Sequence, residues 1–419
     1  MKPMKPMKTM RTIKNPETYI KGIDDTLGYA SDITVEHRSN NPKRDFLFVN
    51  KKQCKHIPCK PSDMIKMCEA LAGQVNSELS TRKDYKNLKI LVIGFAETAT
   101  AIGTIVGDNV DKAAYILHTT REIVYDSKEV ITFEETHSHA TTQKLLVPKE
   151  SNFDFNDYNY ILFVEDEIST GNTILNFINA FEMQHNLDAE GHKIRDIKYG
   201  VASICNWQDD CMKQTFSLAN IDTFALIRGS LKDVAIKMFE DEPVRLKLTT
   251  MHSENGQIGT ESYASDKVFA FFENRTGHKV NRTNTDKNIQ EFMEEIYNKY
   301  KKYHSIRVIG TEECMELPIR IAKYFEERGH EVVCHATTRS KIDVLDSYFD
   351  GEEDGIKSRY QVPSAYDYCR ETYIYNMKEY YDLVMLVTDS EELDCVQLLQ
   401  EKLLEICNGK TQFIAVVKL

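Results

Sequence analysis

The chain has 419 residues and a formal net charge of −12, and its 41% hydrophobic and 28% charged content is that of a globular protein with room for two domains. The acidic balance argues against a nucleic-acid partner, and no apolar run approaches the length of a membrane span. The ten cysteines form no CxxC pair and have no partners at zinc spacing, so they read as reduced thiols in a cytoplasmic protein.

Residues 1–30 open with a basic Met-Lys-Pro repeat that lacks the apolar stretch of a signal peptide, and they are expected to form a disordered tail. Phe46–Asn50 reads as a strand. Lys51, Lys52, Lys55 and His56 follow it. With Lys43 and Arg44 they form either a solvated basic surface or a lid over an anion. Pro61-Ser62-Asp63 opens a helix reaching about Leu79, with Met64, Ile65, Met67, Cys68 and Leu71 on its apolar face. Lys89–Ile93 is a buried strand that runs into Gly94-Phe95-Ala96-Glu97-Thr98-Ala99-Thr100 and then a helix. Gly94 permits close backbone approach, and Thr98 and Thr100 stand at the helix start. Ala113–His118 is a third strand, ending in Thr119-Thr120-Arg121-Glu122. Arg121 there reads either as a fork for anion oxygens or as a surface ion pair. Residues 125–157 are long and polar, as a functional lid would be. Within them His137 and His139 lack a third ligand at fixed spacing. They suit proton transfer or phosphate contact better than a metal.

The most informative stretch is Ile161–Thr173. Ile161–Val164 is a buried strand, followed by Glu165, Asp166 and Glu167. Ile168-Ser169-Thr170-Gly171-Asn172-Thr173 then forms a short hydroxyl-rich loop. Ile174, Leu175, Phe177, Ile178 and Phe181 continue at helical spacing. A loop opening a helix presents free N–H groups and the positive dipole end to a phosphate. The carboxylates before it suit vicinal hydroxyls or magnesium. Lys198–Cys205 and Thr223–Ile227 supply two further strands. The five strands predict a parallel sheet with its loops gathered at the carboxyl edge, where open α/β sheets bind ligands.

Residues 249–266 are rich in small polar residues, and 249–286 are expected to be a linker. The Asn274-Arg275-Thr276 sequon in it has no meaning in a cytosolic chain. Asn288–Tyr303 reads as an amphipathic helix. A second α/β unit, residues 287–419, follows, with strands at Val308–Gly310, Glu331–His335, Tyr381–Val387 and Phe413–Val417. The halves echo one another. Val92-Ile93-Gly94 with Glu97 matches Val308-Ile309-Gly310 with Glu312 and Glu313. Thr119-Thr120-Arg121 matches Thr337-Thr338-Arg339, and Phe163–Asp166 matches Leu386–Asp389. After Asp389, however, Glu391, Glu392 and Asp394 replace the Ser-Thr-Gly loop and would repel a phosphate. Thr311, Glu312, Thr338, Arg339, Ser340 and Asp389 are therefore expected to line a pocket for a different ligand, such as the acceptor or the product.

Ile161–Thr173 resembles the PRPP-binding signature of type I phosphoribosyltransferases, with Glu167 standing where an apolar or small residue is usual. The runs at 41–49, 55–58, 94–100, 137–141, 310–313 and 338–340 resemble the family that joins such a domain to a C-terminal TRSP domain in tellurite-resistance-type stress operons. Lys341 stands where that name expects Pro. The resemblance implies a type I phosphoribosyltransferase domain at 31–248, followed by a diverged phosphoribosyltransferase-like sheet. It also implies magnesium at Glu165 and Asp166, which would hold the ribose hydroxyls. Ile168–Thr173 would take the 5-phosphate. Gly94, Phe95, Ala96, Glu97, Thr98, Thr120 and Arg121 would take the pyrophosphate. The substrates implied are PRPP and an unknown base or amine, and a homodimer is expected. The alternative is a PRPP or nucleotide sensor of the same fold without turnover.

Overall fold

The computed structural model describes residues 19–38, 46–134, 142–231, 259–264, 275–280, 287–344 and 355–418. In chain order the first part comprises β1 (Ile20–Asp24), β2 (Ile33–His37), β3 (Phe46–Asn50), α1 (Pro61–Ser80), β4 (Ile90–Gly94), α2 (Thr100–Asn109) and β5 (Ala113–Thr120). It continues through β6 (Ser127–Glu134), β7 (Thr142–Pro148), β8 (Tyr160–Ile168), α3 (Asn172–Phe181), β9 (Lys198–Asn206), α4 (Asp210–Leu218) and β10 (Ile221–Leu231). Strands β10, β9, β8, β4 and β5 lie side by side in that order, and every pair is parallel. All of β4 is buried, as expected of a parallel strand covered on both faces.

The second part comprises β11 (Gly259–Ala264), β12 (His278–Lys279), α5 (Lys287–Tyr300), β13 (Ser305–Gly310), α6 (Glu316–Glu326) and β14 (Glu331–Ala336). It ends with β15 (Arg359–Pro363), β16 (Glu371–Tyr375), β17 (Tyr381–Thr388), α7 (Leu393–Ile406) and β18 (Thr411–Lys418). Its sheet runs β11-β18-β17-β13-β14 and is wholly parallel. The run β14-β13-β17-β18 repeats the order β5-β4-β8-β9 of the first sheet. An antiparallel hairpin, β15–β16, lies between β14 and β17 in sequence, as β6–β7 lies between β5 and β8. The repeated topology agrees with the sequence echoes.

Three expectations are corrected. Residues 19–30 do not belong to a disordered tail: Ile20 is buried, and β1 pairs antiparallel with β10. Residues 125–157 are not a structureless lid, because β6 and β7 extend the first sheet beyond β5. Ile131, Phe133, Leu145 and Val147 face inward at a period of two, with a bulge between Glu129 and Ile131. The linker contributes a strand to each sheet, since β11 pairs with β18 and β12 with β5. Lys43, Arg44, His137 and His139 lie outside the described residues.

One apolar core joins the two parts. Met64, Met67, Leu71 and Val75 of α1 share it with Val92 and Ile116 of the first sheet and with Val308, Leu317 and Phe325 of the second part. The segment after β3 ties the parts further. Cys59 forms an antiparallel bridge with Cys334 of β14, and the Ala336 N–H donates to the Lys55 carbonyl. Residues 55–59 thus lie along the edge of the second sheet.

Candidate functional site

The three acids after Val164 do not stand in a corner, because β8 continues through them to Ile168. Period two sends neighbouring side chains to opposite faces, so Glu165 and Glu167 share one face and Asp166 takes the other. Asp166 Oδ2 accepts a hydrogen bond from Gln53 Nε2 at 3.3 Å. Burial, then Glu167, push the Asp166 carboxyl up to about 6, although the Gln53 bond favours its ionised form.

Ser169, Thr170 and Gly171 lead into α3, whose N-terminal cap is Gly171 at φ 74°. A β-carbon at Gly171 would stand 2.4 Å from Phe216 Cζ and 3.1 Å from Gln208 Nε2. Glycine is required twice over, by conformation and by space. We expect Gly171→Ala to lower stability by about 1–3 kcal/mol through the left-handed backbone and the clash. Thermal denaturation would measure it, and an unchanged midpoint would mean the loop adapts without strain.

The Gly94–Thr100 turn lies beside this loop at the carboxyl edge, since β4 neighbours β8 and the Phe95 N–H donates to the Val164 carbonyl. A β-carbon at Gly94 would meet His118 Nδ1 at 2.7 Å and the Gly103 Cα at 3.2 Å. The Ala96–Glu97 peptide is cis. The Ala96 N–H donates to Thr119 Oγ1 at 2.8 Å, which in turn donates to Gln143. Gln143 thus supports the turn. Glu97 is buried, with Lys55 Nζ 2.6 Å from Oε1 and Arg339 Nε 3.7 Å from Oε2. Burial alone would raise its pKa, but Lys55 and Arg339 outweigh it and hold the carboxyl at about 2.

The second sheet presents its carboxyl edge to this turn. Thr120 Oγ1 donates to Glu313 at 2.6 Å, and the Arg121 N–H donates to Glu313 at 3.2 Å. Arg339 Nε donates to Glu312 at 2.8 Å, while its other arm pairs with Glu122. Arg370 bridges Glu122 at 2.6 Å and Glu312 at 2.9 Å. Asp389 accepts from Arg275 Nε at 2.8 Å and from Tyr366, whose hydroxyl lies 2.7 Å from Thr311 Oγ1. Thr338 pairs through its main chain with Tyr373, and Ser340 accepts from the Tyr375 hydroxyl. Of the six residues expected in a second pocket, Thr311, Glu312, Arg339 and Asp389 thus join one buried ion network with the first part. Thr338 and Ser340 stand at its side.

Two family models match the sequence, a phosphoribosyl transferase over residues 33–230 and the TRSP domain C-terminal to it over residues 273–405. The chain carries a phosphoribosyl transferase domain followed by a TRSP domain. No curated protein matches it. Similar solved structures include the adenine phosphoribosyl transferase of Trypanosoma brucei in complex with AMP, pyrophosphate and ribose-5-phosphate. It is 10% identical, covers 53% of this chain and 86% of that one, and has a TM-score of 0.33. The Giardia lamblia enzyme complexed with 9-deazaadenine is 14% identical, covers 49% and 98%, and has a TM-score of 0.32.

Sequence reasoning missed the residues that join the two domains. Glu122 and Arg370 carried no local signal, and neither did Gln53, which reaches Asp166 within the first domain. Lys55 read equally as surface, yet it is 1% exposed and donates to the carbonyls of Glu312 and Thr337 in the TRSP domain. Arg275 fell in the expected linker, yet its guanidinium reaches Thr120, Glu313 and Asp389. Removing it would strand two buried carboxylates. We expect Arg275→Met to cost about 3–5 kcal/mol. Adding Glu313→Gln should recover part of that loss in urea unfolding. Equal losses in the single and double variants would mean that packing, not charge, is what Arg275 supplies.

Proposed function

We propose that the chain displaces pyrophosphate from PRPP and joins ribose 5-phosphate to a nitrogen of a base or amine acceptor. The observation carrying this reading is the end of β8. There Glu165 and Asp166, with Glu167, stand at the end of the strand just before a loop that opens α3 at a left-handed, closely packed glycine. Departure of pyrophosphate leaves positive charge on the ribose ring, which carboxylates near the ring stabilise. Glu165 and Asp166 would also hold the ribose hydroxyls, and Ile168–Thr173 would hold the 5-phosphate through the N–H groups of the α3 terminus. The turn at Gly94–Thr98, with Thr120 and Arg121, would face the leaving group. His137 or His139, on the segment between β6 and β7, would contact phosphate.

The donor set fits magnesium, a hard cation that takes oxygen ligands. Burial first, and the Glu167 charge second, raise the Asp166 pKa, and a bound cation would offset both. When bound, magnesium would neutralise charge on the departing pyrophosphate. Asp166 would hold it; Glu165, expected from the sequence to share the ion, leaves β8 on the opposite face and would reach it only after the strand end rearranges.

The test is pyrophosphate release from PRPP and magnesium, screened across free bases and amines. PRPP binding without release under every acceptor would make the protein a sensor. Neither binding nor release would end the assignment. Sedimentation would test the expected homodimer.

A further inference from the structure

The two carboxyl edges meet reciprocally. Arg121 follows Thr119-Thr120 in the phosphoribosyl transferase domain, and Arg339 follows Thr337-Thr338 in the TRSP domain, at matching places in the repeated topology. Each reaches an acid of the other domain. The Arg121 N–H donates to Glu313, and Arg339 approaches Glu97 and pairs with Glu122. This i-to-j and j-to-i pattern is that of an isologous dimer interface built within one chain.

Glu97 shows what the arrangement does. Its carboxylate sits in the turn that would face pyrophosphate, where a bare negative charge would repel the ligand. Both of its oxygens are met by cations anchored on the TRSP domain. Lys55, on Oε1, hangs from the Glu312 and Thr337 carbonyls at 2.6 and 3.2 Å. Arg339 Nε, 3.7 Å from Oε2, donates its one N–H to Glu312 at 2.8 Å, so it acts on Glu97 as a nearby fixed charge. A guanidinium forked among several carboxylates holds a direction that an ammonium cannot.

We propose that Arg339 is a positioning residue of the phosphoribosyl transfer site, a fixed charge through which the TRSP domain neutralises Glu97 so that the Gly94–Thr100 turn accepts pyrophosphate. The inference rests on the reading given above and assigns the TRSP edge to that same site rather than to a separate ligand. The TRSP domain is then half of the pyrophosphate side. Arg339 acts through Glu97, so its loss should raise the KM for PRPP more than it lowers kcat.

The experiment titrates the full-length chain with magnesium pyrophosphate by calorimetry and measures pyrophosphate release from PRPP in parallel. Arg339→Ala should weaken pyrophosphate binding at least about tenfold, the scale of one lost charged interaction. Arg339→Lys should recover only part of the affinity. Adding Glu97→Gln to Arg339→Ala should restore binding, because a neutral side chain at 97 needs no counter-charge. Arg320→Ala is the control. It removes another contact between the domains, 2.9 Å to Asp108, away from the turn, and should leave affinity unchanged. Wild-type affinity in Arg339→Ala, equal losses in Arg339→Ala and Arg320→Ala, or no rescue by Glu97→Gln would each overturn the inference alone. If Arg339→Ala does not fold, Arg339→Lys with and without Glu97→Gln carries the same comparison. A wild-type chain that neither binds magnesium pyrophosphate nor releases it from PRPP would overturn the proposed function, and this inference with it.

Discussion

The double variant Glu165→Gln, Asp166→Asn should lose pyrophosphate release by at least about a thousandfold while gaining thermal stability. The first half follows from the reading of the site: neutral amides neither hold a divalent cation nor stabilise positive charge on the ribose ring. The second half follows from the folded structure alone. Burial, then Glu167, raise the Asp166 pKa to about 6, against an ordinary carboxylate value near 4. A raised carboxyl means that the folded chain holds the proton more tightly than the unfolded chain. Stability is therefore lost as pH rises through the interval from about 4 to about 6, and at neutral pH the fold carries an ionised group it would rather protonate. Replacing that group by an amide of the same shape removes the cost, on the order of 1–2 kcal/mol after allowing for its partial exposure. The Gln53 bond limits the gain, since it favours the charged form. Thermal denaturation should show the gain at pH 7, about half of it at pH 5 and little at pH 4. A variant that unfolds earlier at pH 7 would mean that these acids are structural. Wild-type pyrophosphate release would remove them from the site.

The central parallel strands of both sheets were legible in the sequence because parallel strands buried on both faces are largely continuous apolar runs, whereas β1, β11 and β12 at the margins were read as tail and linker. Ile90–Ile93, Ile161–Val164, Ile306–Ile309 with its central Arg307, and Leu383–Val387 illustrate it. The phosphate loop was legible because its chemistry is local, with acids, glycine and helix start falling within a dozen residues. The β6–β7 hairpin was hidden because Ile131 and Phe133 alternate with exposed polar groups and a bulge shifts the period. What sequence could not reveal was that the two carboxyl edges face each other. Lys55 finds a partner at 97 and carbonyls at 312 and 337. Arg275 joins residues 120 and 389, which are 269 positions apart in the chain. A charged residue looks solvent-bound until a distant segment buries it, so these residues read as surface and linker. The echo of Arg121 in Arg339 did point to the edge, but not to its being shared.

Acid should destabilise this protein before most of its carboxylates are protonated, because three histidines are buried neutral; Asp166, raised to about 6, works the other way and offsets part of the loss. Burial is the largest influence on each histidine. It lowers His118 to about 4 even though Glu316 and Glu313 pull the other way. It lowers His56 to about 3, with Lys55 adding to the effect and Glu97 opposing it. It takes His335 well below the usual value, with Arg307 adding to the effect. His118 Nε2 lies 2.8 Å from Thr104 Oγ1, and its buried Nδ1, beside Gly94, has no hydrogen-bond partner among the described residues. The sign follows from which state takes the proton. Unfolded, each imidazole protonates near pH 6.5; folded, each resists until pH falls much further. Their contribution is complete above about pH 6.5 and is lost as pH falls toward 4, at up to about 1.4 kcal/mol per pH unit for each group. Between pH 6.5 and 4.5 His118 and His56 together should cost on the order of 4 kcal/mol, a large part of the stability of a typical domain, and His335 acts in the same direction. Glu97, held at about 2, adds its own loss only below about pH 4.5. Thermal midpoints measured from pH 7.5 to 4.5 should fall from about pH 6.5 downward, and His118→Asn should make the decline shallower. A midpoint flat to pH 5 would mean that water reaches these imidazoles. A slope unchanged by His118→Asn would place the acid sensitivity at other groups.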